Sequence, residues 1–452
     1  MKTAMTRVFL SLLIALPVVF QLGAAPLPRV KPEEVGMSLE RLQRIDQMLE
    51  RRIAAGEMAG AVAIVARKGK VVHLTAKGVV DLETKQPVTA GTMFRVASMT
   101  KPVTSVAIMM MIEEGKIRLN DPVSRYIPEF RGQKVAVAAP AAPRGEGAAA
   151  APATGGRGET PAAAAGAGAA GAGGRGGRGR GGAPPNFTTV PAQREVTIKD
   201  LLTHTSGLAS GQMSNSTVQT IARKQGEKLA DYIPRLGTTT LEFQPGSRWA
   251  YSAQAGHDTL GRIVEIASGM PLNEFFQKRI FEPLGMKDIT FWPSPAQWQR
   301  VASVYTRGAN GLTKNNNPNG MSSEVYFMGS GGLISTADDY IPFGVMLANG
   351  GELNGKRILG KKTVEMFRSA HIPDTLQGRA AGEGYGLGVR VVTDHVRRGT
   401  MLSTGTFGWS GVYGTHFFVD PVEQTVGVLL VQTSNQEVNR DFEDLVAQSI
   451  ID

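Results

Sequence analysis

Ala97-Ser98-Met99-Thr100-Lys101-Pro102-Val103 opens the run from Ala97 to Gly115, and the reading of that run decides the fold. Val103, Val106, Ala107, Ile108, Met109, Met110, Met111 and Ile112 make it apolar nearly all round, which predicts a buried helix. Gly115 supplies its stop. Proline is tolerated only near a helix start, where its missing N–H costs nothing, so Pro102 places Ser98 in the first turn. Backbone amides are unpaired there. Residues three apart share a helix face, so the Ser98 hydroxyl and the Lys101 amine can touch. The arrangement offers a nucleophile, an amine to take its proton and an amide donor for an oxyanion. Four residues are a weak signal, and a solvent-facing Ser/Lys pair is the alternative. A lysine on a buried helix nevertheless needs a reason.

Outward from this run, Ser38 can cap a helix in which Leu42, Ile45, Leu49 and Ile53 recur at helical spacing. Ala61–Ala66 and Val71–Ala76 flank Lys68-Gly69-Lys70 and predict a hairpin, as do His416–Val419 and Thr425–Gln432 around Asp420-Pro421. Residues 196–300 carry mainly helical patterns, including His257–Ala267 and Leu272–Lys278, and Asn439–Ile450 predicts a closing helix. Strands at both ends with helices between imply an α/β sheet domain, 30–135 with 300–452, carrying a helical subdomain over 191–299.

Residues 136–190 differ from the rest. Of these 55, 19 are Ala, 15 Gly and 6 Pro, too few apolar branched or aromatic side chains to offset the entropy of ordering. The segment is predicted to be a disordered insertion. Its five Arg and two Glu supply +3 of the net +10, and Lys2 and Arg7 another +2, so the remainder is only mildly basic. The Arg/Gly tract Arg175–Gly182 resembles an RNA-binding tract, but the N-terminus argues for export, where no nucleic acid is expected. A weak association with an anionic envelope surface fits the charge better. Lys2 and Arg7 precede an apolar run, Val8 to Val19, and then Gly23-Ala24-Ala25, the pattern of a signal peptide ending near Ala24. That places the protein in the periplasm or outside the cell. Cysteine is absent, which excludes a disulfide scaffold, a thiol nucleophile and a thiolate metal site. The histidines show no helix-face zinc spacing, and the Gly-rich runs lack a phosphate-loop lysine, so neither metal nor cofactor is expected.

Two further segments join the first. One is Tyr251-Ser252-Ala253 and the other Phe407-Gly408-Trp409-Ser410-Gly411-Val412, just ahead of the last hairpin. Alone, each reads as a core aromatic or a strand end. In this order, with Leu201-Leu-Thr-His-Thr-Ser-Gly-Leu208, Phe281–Met286, Gly329–Ser335 and Tyr385–Gly388 as framing text, the chain resembles the serine β-lactamase and penicillin-binding-protein family in its class C branch, closest to the family VIII carboxylesterases. The likeness covers about 30–135 and 190–452.

That resemblance implies a β-lactamase/transpeptidase-like fold, an antiparallel sheet flanked by helices. It implies Ser98 as nucleophile, Lys101 and Tyr251 as shared general base, and the amides of Ser98 and Val412 as oxyanion hole. Trp409, Ser410 and Gly411 would contact substrate, Trp409 lining the acyl or alcohol pocket. Two positions depart from the family pattern. Trp409 stands where β-lactamases and peptidases carry Lys or His, a cation that holds a substrate carboxylate, and Ala253 stands where they carry Asn. Both changes favour an uncharged small-molecule ester. A β-lactamase or D-amino-acid peptidase is the alternative, and a binding protein that has lost turnover is the alternative of another class. His204 invites comparison with a Ser–His triad, but the resemblance treats its segment as a structural turn.

Overall fold

Alternation along Gly60–Arg67 (β1) sets the architecture. Val62, Ile64 and Ala66 enter one hydrophobic cluster while Ala61, Ala63 and Val65 enter another, so both faces of the strand are covered. In the computed structural model, which describes residues 25–139, 186–316 and 321–452, β1 is an inner strand of a seven-stranded antiparallel sheet. Its neighbour Lys70–Gly78 (β2) forms one edge. Glu383–Tyr385 (β3), Arg390–Val392 (β4), Phe407–Ser410 (β5), His416–Asp420 (β6) and Thr425–Val431 (β7) complete the order β3-β4-β5-β6-β7-β1-β2. N- and C-terminal strands therefore meet at the β1–β7 pairing, where Ala61 faces Val431 and Arg67 faces Thr425.

Helices cover both faces. Leu39–Ala54 (α1) buries Leu42, Ile45, Met48 and Leu49, and Ser38 caps it, its Oγ accepting from the Arg41 amide at 3.3 Å. The closing helix α5, Gln436–Ala447, packs beside α1 on the same face. It starts earlier than its apolar spacing alone suggests, because the Asn435 side chain accepts from the Glu437 amide and caps it there. The other face carries α4, Ala337–Ala348, capped by Thr336. Beyond it lie α2, Thr100–Glu113, and α3, Ala255–Ser268, which pack on each other. Helix α2 is buried on every side, as its composition demands, and even Lys101 is 0% exposed. The helix predicted over Leu272–Lys278 is present: Leu272–Phe276 runs without a break into a wider-wound helical stretch over Gln277–Phe281.

One boundary differs from the sequence reading. Lys134–Ala138 pairs antiparallel with Phe187–Pro191, and Ala136 donates to Leu241 O at 2.8 Å. The flanks of the Ala/Gly/Arg-rich segment are thus a β-ribbon, because Val135, Val137, Phe187 and Val190 supply side chains that the middle lacks. Residues 140–185, with the Arg/Gly tract, and residues 1–24, read as a signal peptide, lie outside the described residues. Among the described residues no helix is long and apolar enough to cross a membrane.

Candidate active site

Ser98 sits in a tight turn, Ala97–Met99, that runs directly into α2. Ala97 takes a positive φ of +48°, a conformation unfavourable for a residue with a Cβ. Nothing in the sequence announces this strain. It is held by neighbours: Thr100 Oγ1 accepts from the Leu333 amide at 3.1 Å, Tyr340 donates to Met99 O at 2.7 Å, and Thr104 donates to Gly329 O at 2.6 Å. The Gly329–Ser335 stretch therefore clamps the first turn of α2. A Cβ on Gly329 would lie 2.8 Å from His257 O, so only glycine allows this approach.

Two side chains converge on the Ser98 oxygen. Lys101 Nζ donates to Ser98 Oγ at 3.1 Å, and the Tyr251 hydroxyl donates to the same oxygen at 2.8 Å. The other two Lys101 donors go to Ala253 O and Ser330 O, both at 2.7 Å. All three hydrogens of an ammonium are thereby satisfied inside the protein, which answers why a lysine sits on a buried helix. Lys101 Nζ also lies 5.0 Å from the centre of the Tyr251 ring. Ser98 and Tyr251 are half-buried, so the oxygen is reachable while its partners are shielded.

The motif strand β5 approaches from the opposite side. Gly411 donates to Thr415 O at 2.7 Å, and Thr415 Oγ1 donates to Val96 O at 3.0 Å, tying the turn after β5 to the residues ahead of Ser98. A Cβ on Gly411 would come within 2.5 Å of Val96 O. Val412 follows in that turn. Trp409 is buried, its ring 5.6 Å from that of Tyr251 and 5.3 Å from that of Tyr385. Ser410 points elsewhere: its hydroxyl lies 2.8 Å from His416 Nδ1, and His416 Nε2 lies 3.0 Å from Glu443. Burial pushes the Glu443 carboxyl up, but Arg390, His416 and Arg398 outweigh it and hold the group well below the usual range.

Sequence reasoning passed over Asp258. It lies within α3, 2% exposed, accepting from the Ser330 amide and from the Tyr326 hydroxyl, both at 2.9 Å. Through Ser330 it fixes one of the carbonyls that hold Lys101. An acidic residue on a helix whose neighbours are buried was the available signal. His204, the residue declined as a triad member, does not reach Ser98. It lies buried behind Tyr251, ring centres 4.7 Å apart. Among the described residues no group of three His, Asp or Glu side chains could hold a metal.

The sequence matches the Beta-lactamase family over residues 45–137 and 183–450, and the chain belongs to that family. It is an enzyme of that class, a serine hydrolase of the β-lactamase fold. An uncharacterised protein of Mycobacterium tuberculosis is 32% identical over 394 residues, which cover 84% of this chain and 86% of the relative. Esterase EstB of Burkholderia gladioli is 28% identical over 417 residues, covering 86% and 90%. Among solved structures, EstCE1, a hydrolase with promiscuous acyltransferase activity, matches with a TM-score of 0.69 at 24% identity, over 91% of this chain and 99% of its own. The α/β, β-lactamase/transpeptidase-like architecture expected from the motifs is the one these similarities share.

Proposed function

We propose that this protein is an exported carboxylesterase that works through an acyl-enzyme on Ser98. The observation that carries the reading is the convergence of Lys101 and Tyr251 on Ser98 Oγ, at 3.1 and 2.8 Å. Ser98 Oγ attacks the ester carbonyl carbon while its proton passes to the Tyr251 oxygen, which enters this step as the phenolate after its own hydroxyl proton has left to solvent. The Lys101 ammonium balances the negative charge that passes through that oxygen. The carbonyl oxygen becomes an oxyanion held by the amides of Ser98 and Val412. As the tetrahedral adduct collapses, the carbon–oxygen bond to the alcohol breaks and the same proton goes to the leaving oxygen. Water then attacks the acyl-enzyme with the same base, releasing the acid and restoring Ser98.

Trp409 and Ala253 support an uncharged ester over a β-lactam or a D-peptide. Neither offers the charge or the amide that would hold a carboxylate or an acylamino side chain, and Trp409 presents an apolar face instead. The similarity to Esterase EstB agrees with this choice. Residues 1–24 serve as the export leader in this reading, and a mature N-terminus at Ala25 in the secreted protein tests it.

The deciding experiment is hydrolysis of p-nitrophenyl butyrate by the mature protein beside Ser98→Ala. A loss of roughly 10³-fold or more in kcat/KM supports the reading. Equal rates in both proteins overturn it.

A further inference from the structure

His204 makes contacts to the loop that carries Tyr251 that a plain turn residue would not. Its carbonyl oxygen accepts from the Ala250 amide at 3.0 Å, and its ring Nδ1 accepts from the Ser252 amide at 3.3 Å. The two residues flanking Tyr251 are thus both bonded to one histidine. The neighbouring turn continues the grip, with Gly246 donating to Thr205 O and Glu242 to Gly207 O, each at 2.8 Å. The imidazole also packs edge-on against the Tyr251 ring, whose centre lies 4.7 Å away, while Lys101 Nζ lies 5.0 Å from that centre.

His204 takes a φ of +57°, where a side chain is tolerated only at some cost. It is 1% exposed, and its Nε2 has no hydrogen-bond partner among the described residues. Burial first, then the positive charges of Lys101 and Arg379, push its pKa well below the ordinary value. The ring is therefore neutral, with the proton on Nε2 and the lone pair of Nδ1 free to accept. A strained backbone and a buried polar ring are both costs to folding, and both are met at the residue that brackets Tyr251.

We infer that His204 is a positioning residue for the proposed ester hydrolysis: its Nδ1 acceptor and its ring hold the Tyr251 oxygen at hydrogen-bonding distance from Ser98. The inference rests on the Tyr251 role proposed above. A reacting group displaced by about 1 Å costs on the order of 10²-fold in rate. Substrate affinity does not depend on that displacement to the same degree.

Two variants separate the side chain from the backbone. His204→Gly removes the acceptor and the ring while tolerating the positive φ. His204→Asn places an acceptor oxygen near the position of Nδ1 and also tolerates that φ. Each is compared with wild type for p-nitrophenyl butyrate turnover, for the rate at which a fluorophosphonate labels Ser98, and for melting temperature.

The expected result is a fall of roughly 30- to 100-fold in kcat and in labelling rate for His204→Gly. KM stays within about 3-fold, and His204→Asn recovers to within about 5-fold of wild type. The inference is overturned if His204→Gly keeps its rate within about 3-fold. It is equally overturned if His204→Asn melts like wild type and yet is as slow as His204→Gly. Should His204→Gly fail to fold, His204→Asn decides alone, near-wild-type rates supporting the inference and a 30-fold loss overturning it. A wild type that is labelled at Ser98 but does not hydrolyse esters removes the ester reading and leaves His204 judged by labelling. A wild type that is not labelled removes both.

Discussion

Tyr251 and Ser98, 153 residues apart in the chain, meet in a 2.8 Å hydrogen bond. The bond joins a loop on the helical side of the molecule to the first turn of α2, and Lys101 reaches the same serine oxygen from one helical turn further on. Tyr251→Phe removes only the hydroxyl and leaves the ring against His204 and Trp409. We expect kcat/KM for p-nitrophenyl butyrate to fall by roughly 10²- to 10⁴-fold, the usual worth of a general base, with little change in melting temperature. Stopped-flow kinetics and a thermal melt check both halves.

Gly411→Ala tests the seam between β5 and α2. The added methyl would lie 2.5 Å from Val96 O and 3.2 Å from the Ala97 Cβ, so the strand end must move away from Ser98. Overpacking of this kind costs about 1–3 kcal/mol. Because Val412 is the next residue, the same movement carries its amide off the proposed oxyanion site. The variant is expected to lose at least about tenfold in kcat, the removal of one such donor being worth roughly 10²–10³, with KM nearly unchanged.

Asp258→Ala removes the acceptor for two buried donors, the Ser330 amide and the Tyr326 hydroxyl. Leaving both unpaired costs about 2–4 kcal/mol, readable as a lower urea midpoint with an unchanged slope. Ser330 O also loses its anchor as a partner of Lys101, so the labelling rate of Ser98 falls in the protein that remains folded.

Acid is expected to destabilise this protein in two stages. His73, His204, His257, His371 and His416, five of the six histidines, are pushed below the ordinary value of 6.5, in each case chiefly by burial. A histidine with a depressed folded pKa contributes stability that is present above 6.5 and lost as the pH falls, because the unfolded chain takes up protons first. The melting temperature is expected to drop by several degrees between pH 7.5 and pH 5.5. Glu443 acts lower. Its folded carboxyl lies well below 4.5, so its contribution persists at pH 5.5 and disappears only as the pH falls beneath 4.5 toward the folded value. Glu443→Gln leaves Arg390, Arg398 and His416 without their shared carboxylate, and about 3–5 kcal/mol is expected to be lost at pH 7.5.

Local chemistry made much of this fold legible. The Ser38 cap, the hairpin of β1 and β2 and the apolar girth of α2 depend on residues a few positions apart, so spacing alone revealed them. The ribbon at Lys134–Ala138 and Phe187–Pro191 was hidden because its pairing spans some fifty residues whose composition carries no strand signal. Asp258 was passed over because its partners are an amide and a hydroxyl from elsewhere in the chain, and its place among buried neighbours on α3 hints at burial without naming them. The strain at Ala97 was hidden for the same reason, since alanine has no preference for a positive φ and neighbours impose it.

By itself the sequence determined which groups could do chemistry: a serine and a lysine on one face of a buried helix, a tyrosine, and a tryptophan and an alanine where relatives carry a cation and an amide. Their meeting was decided only by the tertiary structure. Ser98 with Lys101, Tyr251, Ser330 and Thr415 lie on four separate segments, and the bonds that tie Tyr251 to Ser98, Lys101 to Ser330 O and Thr415 to Val96 O form only once the sheet, α2 and α3 are packed together. Packing also gave His204 its place behind Tyr251. A neutral buried ring with one accepting nitrogen is a property of its surroundings, which desolvate it and set the positive charges of Lys101 and Arg379 near it, and those surroundings are assembled from parts of the chain that no short window of sequence contains.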